Sequence, residues 1–148
     1  MDLLSVLKNA ELFEGVTPYE LDALTKICQQ RTYNAGDVIT AQGETGDELF
    51  VICDGFVEVL HSDSPSDPSP RAVVNLGQGQ IFGEMALVDR GPRSATVRAI
   101  SKETIVQVIK RDDFEELCEE NHHLGYIVMR NIAVDLSFKL RHQHLTGQ

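Results

Sequence analysis

Phe82-Gly83-Glu84-Met85-Ala86-Leu87-Val88-Asp89-Arg90-Gly91-Pro92-Arg93-Ser94-Ala95-Thr96-Val97 decides the reading of this chain, because it brings an acid, a base and a glycine turn into one compact segment. Gly83 removes the side chain where backbone must approach a ligand. Met85, Ala86 and Leu87 are good helix formers and predict one short helical turn, whose free N–H groups attract an anion. Arg93 supplies a planar guanidinium fork suited to two phosphate oxygens, and Glu84 can accept hydrogen bonds from a sugar hydroxyl. The outline is that of a receptor for an anion joined to a diol, which describes a nucleotide with one compact phosphate.

These residues resemble the phosphate-binding cassette of the cyclic-nucleotide-binding domain family, which runs roughly Phe-Gly-Glu-(Leu or Met)-Ala-Leu, a short variable stretch, then Pro-Arg-x-Ala-(Thr or Ser)-Val. Every fixed position is matched. Upstream, Gln42-Gly43-Glu44-Thr45-Gly46-Asp47-Glu48-Leu49-Phe50-Val51-Ile52 and Gly55-Phe56-Val57-Glu58-Val59 resemble the family's earlier barrel strands and their turn, so the likeness covers nearly the whole chain. The family includes domains like the catabolite activator protein and the protein kinase A regulatory subunit. The resemblance implies a mainly β fold, an antiparallel β-roll or jelly roll with N-terminal helices and a C-terminal helical hinge. It also implies a regulatory domain without catalytic residues, with a cyclic nucleotide as ligand and no further cofactor.

Carried onto this sequence, the resemblance gives Arg93 and the backbone of Gly83, Met85, Ala86 and Ser94 to the phosphate, with Ala95 in the same segment. It gives Glu84 to the ribose 2′-hydroxyl, and that role would select a ribonucleotide over its deoxy form. Val59 and Val73 would lie against the base, although both serve equally well as core residues. The family caps the purine from its last helix, and counting along the Ile132, Leu136 and Leu140 register places Gln143 and His144 near that position. Serine at position 94 occurs in the catabolite activator protein, which uses cyclic AMP. Alanine is common there in domains preferring cyclic AMP, and threonine in those preferring cyclic GMP. The expectation is therefore cyclic AMP, with cyclic GMP left open because the hydroxyl could also reach a guanine amino group.

At 148 residues, 42% of them hydrophobic, the chain has room for one domain with a core and for no second one. A net charge of −10 and a pI near 4.8 would repel a polyanion, which argues against direct DNA or RNA binding. Screening over about 8 Å in physiological salt still leaves Arg93 dominant beside a small anion. Cys28, Cys53 and Cys118 are scattered and odd in number, and they read as buried thiols of a reducing compartment. The N-terminus lacks a basic region, and no apolar run reaches about 18 residues. A soluble cytoplasmic protein that inserts no segment into a membrane is expected.

Along the chain, Thr17-Pro18-Tyr19-Glu20 has the form of a capping box with proline at the first helical position, predicting a helix from about 18 to 29. Residues 31–110 break into short strands rich in Val, Ile, Phe and Thr, separated by regularly spaced turns, as in a barrel or jelly roll. Asp54-Gly55 between Leu49–Cys53 and Phe56–Leu60 predicts a two-residue hairpin, with Phe56, Glu58 and Leu60 facing opposite Val57 and Val59. Three prolines and four serines between His61 and Arg71 predict a mobile loop. Arg111-Asp112-Asp113 opens a helix, and Asn121 caps a longer one reaching about His144. The expected organisation is a single domain over 1–148, with helices over about 2–29, the β-roll over about 31–110 and C-terminal helices over about 112–144.

Val128, Ile132, Leu136 and Leu140 form a stripe on the last helix, flanked by Met129 and Ala133, which can pack on the barrel or pair with a second copy; a homodimer through this helix is expected. Ligand binding would order the turn at 83–87, move the helices from Asp112 onward, and report occupancy to the dimer or to an unknown protein partner. The Met1 start favours a stand-alone sensor. The helix-turn-helix that follows in bacterial regulators is not expected here, and output is expected through another surface. Neither His122-His123 nor His142-x-His144 has the spacing that places two metal ligands on one helix face, and His61 is the barrel region's only histidine. Both facts count against a metal site and a cupin-like enzyme. Gly77-x-Gly79-x-x-x-Gly83 is one residue too long for a dinucleotide fingerprint. The competing readings are an interaction module of the same fold that binds no nucleotide and, less well supported, a cupin-like barrel enzyme.

Overall fold

The computed structural model describes residues 2–64 and 69–145, with side chains described as far as residue 142 in the last helix. Helix α1 covers Leu3–Asn9, a 3₁₀ turn Glu11–Phe13, and α2 Pro18–Thr25. The capping box forms as its residues require. Glu20 N–H donates to Thr17 Oγ1 at 3.2 Å, and Thr17 N–H donates to Glu20 Oε1 at 2.9 Å. The helix ends before position 29 because strand β1 begins at Cys28 and commits its backbone to pairing with residues 103–109.

Glu20 is buried, 3% exposed, and it also ties α2 to the last helix, since His123 Nδ1 lies 2.9 Å from Glu20 Oε2. Burial alone would raise the Glu20 carboxyl, but bonds from the Thr17 amide, His123 and the Thr17 hydroxyl outweigh it and hold its pKa below the usual value. Glu20→Ala should therefore cost about 1–3 kcal/mol in urea unfolding. Because the folded-state pKa is depressed, this contribution is complete above the ordinary carboxylate range. The gap between wild type and variant should close as pH falls through the folded-state value.

Among the described residues, eight strands form two four-stranded antiparallel sheets, β1-β8-β3-β6 and β2-β7-β4-β5. The first contains β1 (Cys28–Asn34), β3 (Glu48–Asp54), β6 (Ile81–Phe82) and β8 (Glu103–Lys110). The second contains β2 (Val38–Thr40), β4 (Val57–His61), β5 (Arg71–Leu76) and β7 (Thr96–Ala99). β3 is buried on both faces. Phe50 and Ile52 join Val57, Phe82, Val97, Val106 and Val108 between the sheets, whereas Leu49 and Val51 face the helices. Period-2 alternation thus lets one apolar run serve two cores.

The predicted hairpin at Asp54-Gly55 is not one. β3 pairs with β6 and β8, and β4 pairs with β5 and β7, so the turn carries the chain from one sheet to the other. Gly55 is required there: its φ is +86°, and a Cβ would come within 2.7 Å of the Glu103 carbonyl. The expected alternation also fails at one place, since Val57 and Leu60 are both buried while Phe56 is 56% exposed. Across from them, Val59 pairs with Val74 and Leu60 with Ala72, leaving Val73 as an extra residue that breaks the pleat. The true hairpin is β4–β5. Of the loop expected to be mobile, residues 65–68 lie outside the described residues.

After β8, α3 covers Arg111–Glu120 and α4 His122–Leu145, with Leu124 N–H donating to Asn121 Oδ1 at 3.2 Å. Val128 and Ile132 are buried against Val6, Leu12, Leu24 and Phe114, but Leu140 is 57% exposed. Leu136 is half-buried and still packs on this core, so the stripe opens to solvent only at Leu140. Cys28, Cys53 and Cys118 are free and half-buried rather than fully buried, and partial desolvation pushes the Cys28 thiol up to about 12 and Cys118 to about 11. Among the described residues, no helix is long and apolar enough to cross a membrane.

Candidate functional site

The segment quoted first folds as a turn and a strand start between the two sheets. Gly83 adopts φ +82°, ψ 10°, and Glu84–Leu87 form one 3₁₀ turn closed by Ala86 N–H donating to Gly83 O at 3.1 Å. A side chain at 83 would be strained by this left-handed backbone. Its Cβ would also stand 2.8 Å from both the Glu48 carbonyl and Arg93 Nη1. The amides of Glu84 and Met85 precede the first bond within the turn and are the donors a helical start leaves over.

Arg93 reaches back under this turn. Its Nη2 donates to the Glu48 carbonyl at 2.8 Å and its Nη1 to the Gly83 carbonyl at 3.4 Å. Its Cζ lies 5.8 Å from the centroid of Phe50, which stacks on Phe82 at 4.7 Å. Its main chain is clamped too: Arg93 N–H donates to Glu44 O at 2.7 Å and Gly43 N–H to Arg93 O at 2.9 Å. A Cβ on Gly46 would overlap the guanidinium. Partial burial lowers the Arg93 pKa, against the opposing pull of Glu48, Asp47, Glu84 and Glu44, yet an arginine stays charged. The arrangement can hold a small anion by a fixed cation and backbone donors.

The remaining expected residues fall into four groups. Glu84 is half-buried, Ala86 and Leu87 are buried, and Met85 is 38% exposed, so the turn is anchored by its last two residues. Ser94 is exposed and its carbonyl faces His61 Nδ1 at 3.1 Å; Ala95 is half-buried. Val59 packs against the inter-sheet core, and Val73, 61% exposed, is the bulged residue of β5. Gln143 and His144 lie on α4, but their side chains are outside the described residues. A cleft of about 770 Å³ opens beside Glu84, lined also by Leu76, Ile81 and Ile132 and by Phe138 and Lys139 of α4. Among the described residues, no group of three or more His, Cys, Asp or Glu is placed to hold a metal ion.

Residues the sequence did not single out complete the surroundings. Arg111, 8% exposed, places Nη1 3.4 Å from the Ala86 carbonyl while its main-chain N–H donates to Asp47 O at 2.7 Å, linking the turn, the residue before β3 and α3. Glu48 supplies the carbonyl that anchors Arg93, and Arg31 grips its carboxylate. A backbone acceptor leaves no mark on residue type, so only the Gly-Asp-Glu turn hinted at the place.

Comparison with known proteins places the chain in one family. A family model described as "Cyclic nucleotide-binding domain" matches residues 30–121. The cyclic AMP receptor protein of Thermus thermophilus is 32% identical over 94% of this chain, which spans 61% of that protein. The cGMP-dependent protein kinase of Toxoplasma gondii is 34% identical over 80% of this chain, which spans 11% of that kinase. Among solved structures, the regulatory domain of Toxoplasma gondii PKA, crystallised with cAMP, superposes with a TM-score of 0.78 at 27% identity, covering 90% of this chain and 48% of that one.

Proposed function

From the chain's membership of the cyclic nucleotide-binding domain family, we propose that it senses a cyclic nucleotide, cyclic AMP in preference to cyclic GMP, and passes occupancy on through its C-terminal helices. The observation that carries this reading is the Arg93 guanidinium, held on two main-chain carbonyls beside the half-buried Glu84 and the first amides of a left-handed glycine turn. In this reading Arg93 and the backbone of Gly83, Met85, Ala86, Ser94 and Ala95 take the phosphate. Glu84 takes the ribose hydroxyl, and Val59 and Val73 support the base. Gln143 and His144 on α4 are the candidates for the base cap.

The proposed output is non-enzymatic. A phosphate drawn onto the 83–87 turn would act on Ala86, whose carbonyl faces the buried Arg111 at the first position of α3. That residue is the mechanical route from turn to helices. Beyond it, α4 exposes Tyr126, Val134, Phe138 and Leu140, each more than half accessible, and these residues would supply a dimer or partner contact. No nucleic acid is expected to bind a chain of net charge −10.

Calorimetric titration of the folded protein with cyclic AMP and with cyclic GMP tests the reading. Saturable one-to-one heat with cyclic AMP, weaker with cyclic GMP and lost with 5′-AMP, is the expected result. Absence of heat with both cyclic nucleotides would overturn it in favour of an interaction module that binds no nucleotide.

A further inference from the structure

Arg93 is surrounded by acid. Glu48 acts on it most strongly among the carboxylates, followed by Asp47, Glu84 and Glu44. Any one of them could take the guanidinium as an ion-pair partner and compete with a bound phosphate. Glu48 is the best placed, because its own carbonyl already receives Arg93 Nη2 at 2.8 Å. Its side chain emerges on the same face of β3 as Phe50, two residues on, over whose ring the guanidinium lies.

The Glu48 carboxylate is nevertheless engaged elsewhere. Arg31 on β1 holds both its oxygens in a fork, Nη2 to Oε2 at 2.6 Å and Nη1 to Oε1 at 3.1 Å. The Glu48 side chain is 20% exposed, so water screens this pair only in part. Strand register supports the reach. Arg31 pairs with Val106 and Val106 with Ile52, which puts Arg31 on the same inter-sheet face as Phe50 and Glu48.

We propose that Arg31, a residue outside the ligand pocket, sets the affinity of the site by occupying both oxygens of Glu48 and so keeping that carboxylate from neutralising Arg93. Arg93 is thereby held by neutral carbonyls, which a phosphate can displace or share without breaking an ion pair. The inference rests on the reading of Arg93 as the phosphate-binding residue and adds a positioning residue to it.

A double-mutant cycle on the intact chain tests it, with cyclic AMP titrated into wild type, Arg31→Gln, Glu48→Gln and the double variant, each first checked for a cooperative melt. Arg31→Gln should weaken binding about tenfold, because the freed carboxylate pairs with Arg93, and adding Glu48→Gln should restore most of that loss. Arg31→Lys, which keeps the charge but not the fork, should fall between wild type and Arg31→Gln. If Arg31→Gln binds as wild type does, or if the double variant binds no better than Arg31→Gln, the proposal is wrong. In the second case Arg31 merely braces β1 against β3, and melting temperature would fall in parallel with affinity. Wild-type protein that binds no cyclic nucleotide would overturn the functional reading itself and this inference with it, an outcome distinct from both.

Discussion

Arg93→Ala is expected to lower cyclic-nucleotide affinity by about 2–5 kcal/mol, roughly thirtyfold to several thousandfold, the range for removing one side of a desolvated charge pair. The magnitude follows from the surroundings. The guanidinium is half-buried, backed by the Phe50 ring and fixed on the Glu48 and Gly83 carbonyls, so its fork is oriented before any phosphate arrives. Arg93→Lys keeps the charge and loses the second parallel bond, and it should recover only part of the affinity. Folding is expected to survive both changes, because the main chain of residue 93 keeps its bonds to Glu44 and Gly43. The check is titration beside a circular dichroism melt. Full affinity in a folded Arg93→Ala protein would remove Arg93 from the site.

Phe50→Ala should destabilise the fold by about 3–5 kcal/mol in urea unfolding, the usual range for emptying a buried aromatic position. Phe50 is 1% exposed, stacks on Phe82 with an interplanar angle of 8°, and belongs to the core between the sheets. It also forms the floor beneath Arg93, so the variant should bind nucleotide more weakly even where it remains folded. Phe50→Leu refills most of the volume and should cost about 1–2 kcal/mol. A loss under about 1 kcal/mol for Phe50→Ala would mean that the inter-sheet core closes over the gap.

Local chemistry was legible wherever its partners stand close in sequence. The Thr17–Glu20 box and the Asn121 cap each join residues three apart and can be read from residue type alone. So can the short turn at 84–87, because a glycine followed by good helix formers announces it, although the left-handed backbone of Gly83 came only with the structure. Asp54-Gly55 misled for a related reason. Its dipeptide specifies a tight turn, but whether the flanking strands pair with each other or with strands about fifty residues away depends on competition the dipeptide does not record. The stripe on α4 carried a similar ambiguity. Periodicity marks an apolar face, and only the position of α1 and the Glu11–Phe13 turn shows that the face is covered at Val128 and Ile132 and open at Leu140.

By itself the sequence determined the class of this protein and the chemistry of its cassette: an acid, a fork and a glycine turn in one segment, conformed by local backbone preferences. What only the tertiary structure decided is how that chemistry is held. Glu48 lies 45 residues from Arg93 and 17 from Arg31, and Arg111 lies 25 from Ala86. These contacts use main-chain carbonyls and charges that any sequence supplies in plenty. They are selected by sheet register and burial, which depend on the packing of the whole chain and not on any stretch of it.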